Sequence, residues 1–151
     1  MRTVLAIALL LTGCTAATLP AQAGHDTSSA VPVQRVTRLS VIAFWEVPVS
    51  DSALEADPDL ASALDDQQYY WASTRPLLET SGISALDQPG RVFTVQEPGR
   101  RWRFAAPKDS AATGYLLVAP GRAHRVLYGR RFPEEILAAA RAFAREAPVR
   151  R

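Results

Sequence analysis

Apolar and aromatic residues cluster in this chain with the short length and two-residue period of β-strands. Residues 39–45 (Leu-Ser-Val-Ile-Ala-Phe-Trp) form a β-branched and aromatic run long enough for one buried strand. Residues 91–96 alternate between polar and apolar, residues 97–100 give a turn signal, and Trp102 and Phe104 resume the alternation. The pattern therefore predicts one strand inside a sheet and, later in the chain, a hairpin.

A longer segment repeats its apolar residues at helical spacing between a start signal and a stop signal. Residues 59–80 are predicted to form a helix, with Asp57 as its N-cap and Pro58 at its opening. Pro76 predicts a kink within this helix, and Gly82 predicts its end.

The C-terminal part predicts a second strand pair and a final amphipathic helix. Residues 114–119 and 124–128 form the strands, on either side of a Pro-Gly turn. The helix begins at Pro133 and has two glutamates in its first turn. Its apolar face contains Ile136, Leu137, Ala140, Phe143 and Ala144.

The first residues have the layout of an export signal. A charged start is followed by an apolar run at residues 4–11, which is too short for a helix that crosses a bilayer, because such a helix needs roughly 20 residues. The run ends in Leu11-Thr12-Gly13-Cys14, which resembles the lipobox of bacterial lipoproteins. The resemblance implies cleavage after residue 13 and acylation of Cys14, the only cysteine in the chain. An ordinary secretory signal with a chance cysteine is the alternative.

The organisation that follows has four parts. Residues 1–13 are the signal peptide, and residues 14–34, which are rich in Ala, Thr, Ser and Pro, are predicted to be a flexible tether. Residues 35–147 form a single globular domain, and residues 148–151 form a tail. In the lipoprotein family an Asp after the cysteine favours the inner membrane. Thr15 at this position therefore favours an outer-membrane lipoprotein that faces the periplasm, with the inner membrane as the alternative.

The domain resembles the thioredoxin-like fold over residues 39–146. Phe44-Trp45 matches the Phe-Trp before that family's active-site loop, and Pro76 matches its kinking proline in the following helix. Residues 113–122 can be laid without gaps over the family's strand, turn and strand, which places Gly129 on its glycine before the last helix. The resemblance implies an α/β fold with a sheet flanked by helices. An α+β arrangement of an antiparallel sheet and two helices is the alternative.

The departures from that family concern its chemistry. Residues 49–52 (Val-Ser-Asp-Ser) stand where the family has its Cys-x-x-Cys pair, and Thr113 stands where it has a cis-proline. Thiol exchange needs a thiolate, which neither valine nor serine provides. We therefore expect a domain that is not an enzyme. The hairpin at residues 91–106 also stands where the family usually has a strand followed by a helix.

No other residue pattern predicts catalysis, a metal or a cofactor. His25 lies in the tether, and His124 lies between Arg122 and Arg125, whose charges should lower its pKa. Two distant histidines without a ligand cysteine do not make a metal site. Acidic residues 57–66 lack the loop pattern of calcium sites, and we expect them to be a capped helix start with a solvated face.

Charge is unevenly distributed along the domain. Residues 41–90 contain nine acidic side chains and one arginine, whereas residues 91–151 contain thirteen basic and five acidic side chains. The two halves either pair with each other or present poles to a protein partner or to anionic lipid headgroups. Residues 69–71 (Tyr-Tyr-Trp) span more than one helix face, so at least one ring should be exposed. The arginines predicted to contact a partner are Arg100, Arg101, Arg103, Arg130 and Arg131.

The sequence thus predicts a lipoprotein held to a lipid bilayer through acylated Cys14. Its domain is expected to bind or scaffold a periplasmic or envelope protein without catalysis. The alternative is an accessory of a thiol-disulfide or other enzyme pathway in the cell envelope. Nucleic acid is not expected as a partner, because the excess of sixteen Arg over one Lys is attributed to codon bias.

Overall fold

The computed structural model describes residues 30–146, which form two β-sheets and three α-helices. The predicted α/β class is therefore confirmed, whereas the signal peptide, Cys14 and the tail lie outside the described residues. In chain order the elements are β1 (Val33–Arg35), β2 (Ser40–Trp45), α1 (Asp51–Ala56), α2 (Pro58–Thr80), β3 (Ser84–Pro89), β4 (Val92–Glu97), β5 (Arg100–Ala105), β6 (Thr113–Val118), β7 (Arg125–Tyr128) and α3 (Pro133–Arg145).

The four-stranded sheet has the order β3-β2-β6-β7 and a mixed strand direction. Strands β2 and β3 run parallel, from Ser40 opposite Ser84 to Trp45 opposite Pro89, and α2 lies in the crossover between them. The pairs β2-β6 and β6-β7 are antiparallel. The alternative of an antiparallel sheet with two helices is therefore wrong, because one pair is parallel and the described residues contain three helices.

The three-stranded sheet has the order β1-β4-β5. The predicted hairpin is confirmed as β4 and β5, but it belongs to this second sheet and not to the central one. Strand β1 runs parallel to β4 and begins at Val33, two residues before the predicted start of the domain at residue 35. Its backbone pairing explains the difference, because Thr94 N donates to the carbonyl oxygen of Pro32 at 2.8 Å.

The strict alternation of β2 and β6 fills a separate core on each face of the four-stranded sheet. Val41 and Ala43 point to the side of the helices, whereas Ile42 and Phe44 point to the three-stranded sheet. The molecule therefore has three layers, with the helices, the four-stranded sheet and the three-stranded sheet in that order. The buried side chains between the two sheets are Val36, Ile42, Phe44, Phe93, Val95, Phe104, Leu116 and Val118.

Local signals set the ends of α2. The side chain of Asp57 accepts a hydrogen bond from Leu60 N at 3.0 Å, and Pro58 is the first helical residue, where it loses no hydrogen bond. Pro76 lies inside the helix, and Gly82 follows its end with φ 76°, a backbone conformation that favours glycine. The predicted helix is confirmed within one residue at its start. In the described part of the chain, no helix is both long and apolar enough to cross a bilayer.

Candidate binding site

A cleft of about 560 Å³ opens where β2 ends, between the loop at residues 46–50 and one flank of α2. Strand β3 contributes Asp87 to its wall. The cleft is lined by Trp45, Val47, Pro48, Leu64, Gln67, Gln68, Trp71, Ala72, Arg75 and Asp87. The lining thus combines two indole rings and aliphatic side chains with a few polar groups, which is the usual make-up of a binding site.

A hydrogen-bonded trio fixes the polar side of the cleft. The Asp87 carboxylate accepts from Trp71 Nε1 at 2.5 Å and from Arg75 Nη2 at 2.8 Å, so each of its oxygens has a partner. Trp71 is only 8% exposed and also packs against Tyr115, with ring centroids 5.8 Å apart. Burial raises the pKa of the Tyr115 hydroxyl above its ordinary value of 10.0. The hydrogen bond to Asp87 and the packing against Tyr115 together hold the Trp71 ring in one orientation at the cleft.

Gln67 lines the cleft and has a buried hydrogen-bond acceptor that no described protein group uses. The residue is 4% exposed, and its Nε2 donates to the carbonyl oxygen of Gly114 at 3.5 Å. Its Oε1 is buried and has no hydrogen-bond partner among the described residues. A buried polar atom without a partner costs about 1–3 kcal/mol, so Oε1 would accept a hydrogen bond only if the wall of the cleft moved and exposed it to a donor.

The outer edge of the cleft is apolar and solvent-exposed. Val47 lines the cleft and is 53% exposed, and Val49, two residues further, is 94% exposed. Neither Ser50 nor Ser52 is placed as a nucleophile. Ser50 Oγ accepts from Ala53 N at 3.3 Å to cap α1, and it lies 2.9 Å from Ser52 Oγ. Residues 49–52 are therefore a hydrophobic tip followed by a helix cap.

Thr113, the position that corresponds to the cis-proline in the sequence resemblance, lies at the same end of the sheet. It is buried and pairs with Trp45 in the β2-β6 register. The structure thus places Thr113 beside one of the two indoles of the cleft. Residues 49–52 and Thr113 come from distant parts of the chain but lie near one end of β2.

The five arginines predicted to contact a partner occupy three separate environments. Arg130 lies on the opposite flank of α2 from the cleft, where it donates to Asp66 at 3.3 Å. Its guanidinium also lies 5.9 Å from the Tyr70 ring centroid and 5.5 Å from that of Phe132. The neighbouring Arg131 is half-buried, and its Nε has no hydrogen-bond partner within residues 30–146.

Arg100 belongs to a cluster on the hairpin. Its guanidinium lies 5.4 Å from the Trp102 ring centroid, and Trp102 Nε1 donates to Glu97 at 2.6 Å. His124, which precedes β7, stacks on Trp102 with centroids 4.6 Å apart. Arg130 follows β7, so Arg100 and Arg130 lie near opposite ends of that strand. Arg101 and Arg103 are exposed and point away from the core of the three-stranded sheet.

The pKa of His124 is lowered, as predicted, but the cause is different. Partial burial against Trp102 is the main cause and the charge of Arg100 is the second, while Glu97 acts in the opposite direction. The two sequence neighbours predicted to lower it are not among the causes: Arg122 donates to the backbone oxygen of Phe143 at 2.9 Å, and Arg125 pairs with Glu146. The three-dimensional neighbours therefore decide this pKa, and the sequence neighbours do not.

Lowering the pH should destabilise the protein through His124. Its pKa in the folded state lies below the ordinary value of 6.5, so the unfolded chain binds the proton more readily. The free energy of unfolding should therefore fall as the pH drops below about 6.5. Replacement of His124 by Phe keeps a ring that can stack on Trp102 but removes the titration. We expect the decrease in Tm between pH 8 and pH 5 to be smaller in this variant, and an equal decrease would contradict the assignment.

Some acidic side chains of residues 41–90 form ion pairs with basic side chains of residues 91–151. Arg91 donates to Glu46 at 3.2 Å, and Arg130 donates to Asp66 at 3.3 Å. Both pairs connect the acidic segment with the basic segment. Because Arg130 is paired and rests on two aromatic rings, it has a structural role whether or not a partner contacts it.

Among residues 30–146, no three His, Cys, Asp or Glu side chains are placed to hold a metal ion. The exposed ring predicted within residues 69–71 is Tyr69, which is 72% exposed, whereas Trp71 is buried at the cleft.

Comparison with models of known protein families found no match, and searches of curated proteins and of solved structures also found none. The class defined by the structure is therefore a mixed α/β domain with two sheets and a cleft beside α2.

Proposed function

We propose that this chain is an envelope lipoprotein whose domain binds a segment of a protein partner in the cleft and catalyses no reaction. The observation that carries the proposal is the cleft itself. Its floor has two indoles, its edge has exposed Val47, and its wall has the half-exposed Asp87 carboxylate. Anchorage through acylated Cys14 would hold this binding surface at the outer membrane, where it would face the periplasm.

The positions of four sequence features support a thioredoxin-like relationship. Phe44-Trp45 ends β2 immediately before the loop, and Pro76 lies in the helix that follows. The strands β6 and β7 pair antiparallel, and Gly129 precedes α3. Strand β3 supplies a strand after α2, so the hairpin is an addition in the second sheet and does not replace that strand.

An extended peptide segment fits the chemistry of this cleft. An apolar side chain of the segment could pack against Trp45, Trp71 and Val47, which would remove exposed apolar surface from water. A backbone N–H of the segment could donate to the half-exposed Asp87 carboxylate at the wall of the cleft. Peptide recognition commonly combines a main-chain hydrogen bond with a pocket for a side chain, and aromatic residues in such pockets contribute much of the affinity.

The absence of a thiol at residues 49–52 predicts that the domain has no disulfide reductase activity. Val49 has no reactive atom, and the hydroxyls of Ser50 and Ser52 hydrogen-bond to each other. The purified protein should not accelerate reduction of insulin by dithiothreitol above the rate of buffer alone. A rate that increases with protein concentration, after contaminating thioredoxin has been excluded, would show that this proposal is wrong.

Replacing Val49 by Asp should disrupt partner binding without disturbing the fold. The side chain is 94% exposed, so the domain loses no packing, but a charge would be placed two residues from Val47, the exposed edge of the proposed apolar contact. We expect at least a tenfold loss of the partner that co-purifies with detergent-solubilised lipoprotein, which corresponds to about 1.4 kcal/mol.

The matched control for this experiment is Ala138→Asp. Ala138 is exposed on α3, which packs against α2 on the side away from the cleft, and the substitution changes the net charge equally. The control should retain the partner. Equal recovery with both variants would exclude Val49 from the interface, and equal loss would indicate a general effect of charge.

A further inference from the structure

The outer face of the three-stranded sheet points away from the buried core. Phe93 and Val95 of β4 point into the core, so Val92, Thr94 and Gln96 point outward. Strand β5 continues this face in register. Its residues Arg101 and Arg103 lie opposite Gln96 and Thr94, respectively, and they are exposed.

Strand β1 extends the same face on the other side of β4. Val33 pairs with Thr94, and Arg35 pairs with Gln96, and both β1 residues are exposed. Two rows of residues therefore cross the three strands. One row consists of Arg35, Gln96 and Arg101, and the other consists of Val33, Thr94 and Arg103. We call this surface the basic face, and its members are Val33, Arg35, Val92, Thr94, Gln96, Arg101, Arg103 and Ala105.

The charges of the basic face have one sign and are not neutralised. It contains three arginines and no acidic residue, and Arg35, Arg101 and Arg103 form no ion pair with any described residue. Neighbouring strands lie about 4.8 Å apart, so Arg35 and Arg101 begin roughly 10 Å from each other across the sheet. The result is a nearly planar array of cations, which suits a planar array of anions.

We propose that the basic face lies against the anionic headgroups of the bilayer to which the protein is anchored. This proposal rests on the proposed lipidation of Cys14. Val33, the first residue of β1, is the nineteenth residue after Cys14. Even a fully extended chain of that length spans at most about 65 Å, so the domain cannot leave the vicinity of the membrane.

The first described strand after Cys14 is β1, and it belongs to the sheet that carries the basic face. Strand β1 is an edge strand of that sheet, and it contributes Val33 and Arg35 to the face. The cleft lies on the helix side of the central sheet, on the other side of the molecule. A domain that rests on its basic face would therefore keep the cleft open toward the periplasm for a partner.

Electrostatics sets the size of the expected effect. An arginine near an anionic membrane surface favours the bound orientation by about fivefold, and the attraction is screened within about 8 Å at physiological ionic strength. Reversing both Arg101 and Arg103 should therefore shift the orientation equilibrium by about 25-fold or more. The shift should disappear when phosphatidylglycerol is omitted or the salt concentration is raised.

The test measures which side of the anchored protein faces the lipid. Lipidated full-length protein with Thr94→Cys, on the basic face, or Ala138→Cys, on the helix side, is labelled with bimane and incorporated into vesicles. The vesicles contain phosphatidylcholine with or without 30% phosphatidylglycerol, and a nitroxide on some headgroups quenches nearby bimane. We expect stronger quenching at residue 94 than at residue 138 only when phosphatidylglycerol is present.

Two controls make the result decisive. Arg101→Glu with Arg103→Glu should abolish the difference between the two labels, whereas Lys108→Glu with Arg141→Glu, which changes the net charge equally, should preserve it. Equal quenching at both labels in phosphatidylglycerol vesicles, with protein that floats with the vesicles, would overturn the proposal and leave an acidic protein as the occupant. Protein that does not float with phosphatidylcholine vesicles and reacts with bimane at Cys14 would instead overturn the lipidation on which the proposal rests.

Discussion

Cells that carry Cys14→Ser should lose the acyl anchor of the protein completely. In the proposed lipoprotein Cys14 carries all the acyl chains, and serine cannot form the thioether that such processing requires. Each buried CH₂ contributes about 0.8 kcal/mol, so the loss of several acyl chains removes essentially all membrane affinity. The variant should incorporate no labelled palmitate and should be recovered uncleaved or soluble after cell fractionation.

The matched control for this change is Thr15→Asp. In the lipoprotein family an Asp after the cysteine favours retention in the inner membrane, so this variant should stay acylated but move from the outer to the inner membrane fraction. Detergent-dependent membrane attachment that persists in Cys14→Ser would contradict anchorage through this residue. A Thr15→Asp protein without label would point to a general defect in export.

The second large effect is expected from Gly114→Ala. A Cβ at this position would lie 2.5 Å from Cζ of Phe44 and 2.9 Å from the carbonyl oxygen of Leu127. Neither neighbour can move easily, because Phe44 is fully buried and Leu127 is part of β7. We expect a loss of about 1–3 kcal/mol of unfolding free energy, toward the upper end of that range. This loss corresponds to a fall in Tm of roughly 4–12 °C.

A double variant separates the two contacts of that methyl group. Phe44→Leu removes the ring atoms nearest the new Cβ but leaves the Leu127 carbonyl oxygen in place, so Gly114→Ala should cost less in this background than in the wild type. Ala105→Val, a substitution on an exposed strand position, should change Tm only slightly. A Gly114→Ala protein with unchanged Tm would mean that β2 and β6 lie farther apart than described.

Elements with a strong local pattern could be predicted from the sequence. Strand β2 has an uninterrupted apolar run, and α2 has both a capping Asp57 and apolar residues at helical spacing. The hairpin β4-β5 has alternation on both sides of a turn. In each case the residues that decide the structure are neighbours in sequence, so short-range reasoning was sufficient.

Strand β3 and helix α1 were missed because their sequences carry little local signal. Strand β3 reads Ser-Ala-Leu-Asp-Gln-Pro, without a β-branched residue, and it is extended because its backbone pairs with β2. Helix α1 has only six residues and no buried side chain. Its start depends on the cap at Ser50. In the sequence, Ser50 stands out only because residues 49–52 occupy the position of the Cys-x-x-Cys pair.

The cleft could not be predicted because its parts are distant in sequence. Asp87 accepts from Trp71 and Arg75 only because β3 and α2 lie side by side. The unused acceptor on Gln67 appears only when Gly114 is known to bond the other end of the amide. An amide such as that of Gln67 on the buried side of a helix is the signal that could have pointed to this site.

The central claim, that the cleft beside α2 holds a protein partner, is tested most directly by photo-crosslinking in intact cells. The photoreactive residue p-benzoylphenylalanine replaces Val49, two residues from the cleft edge at Val47, or Ala138 on the exposed side of α3. We expect one discrete crosslinked product at residue 49 that is absent at residue 138 and is lost when Cys14 is also replaced by Ser. No product at residue 49, or the same products at both positions, would contradict it.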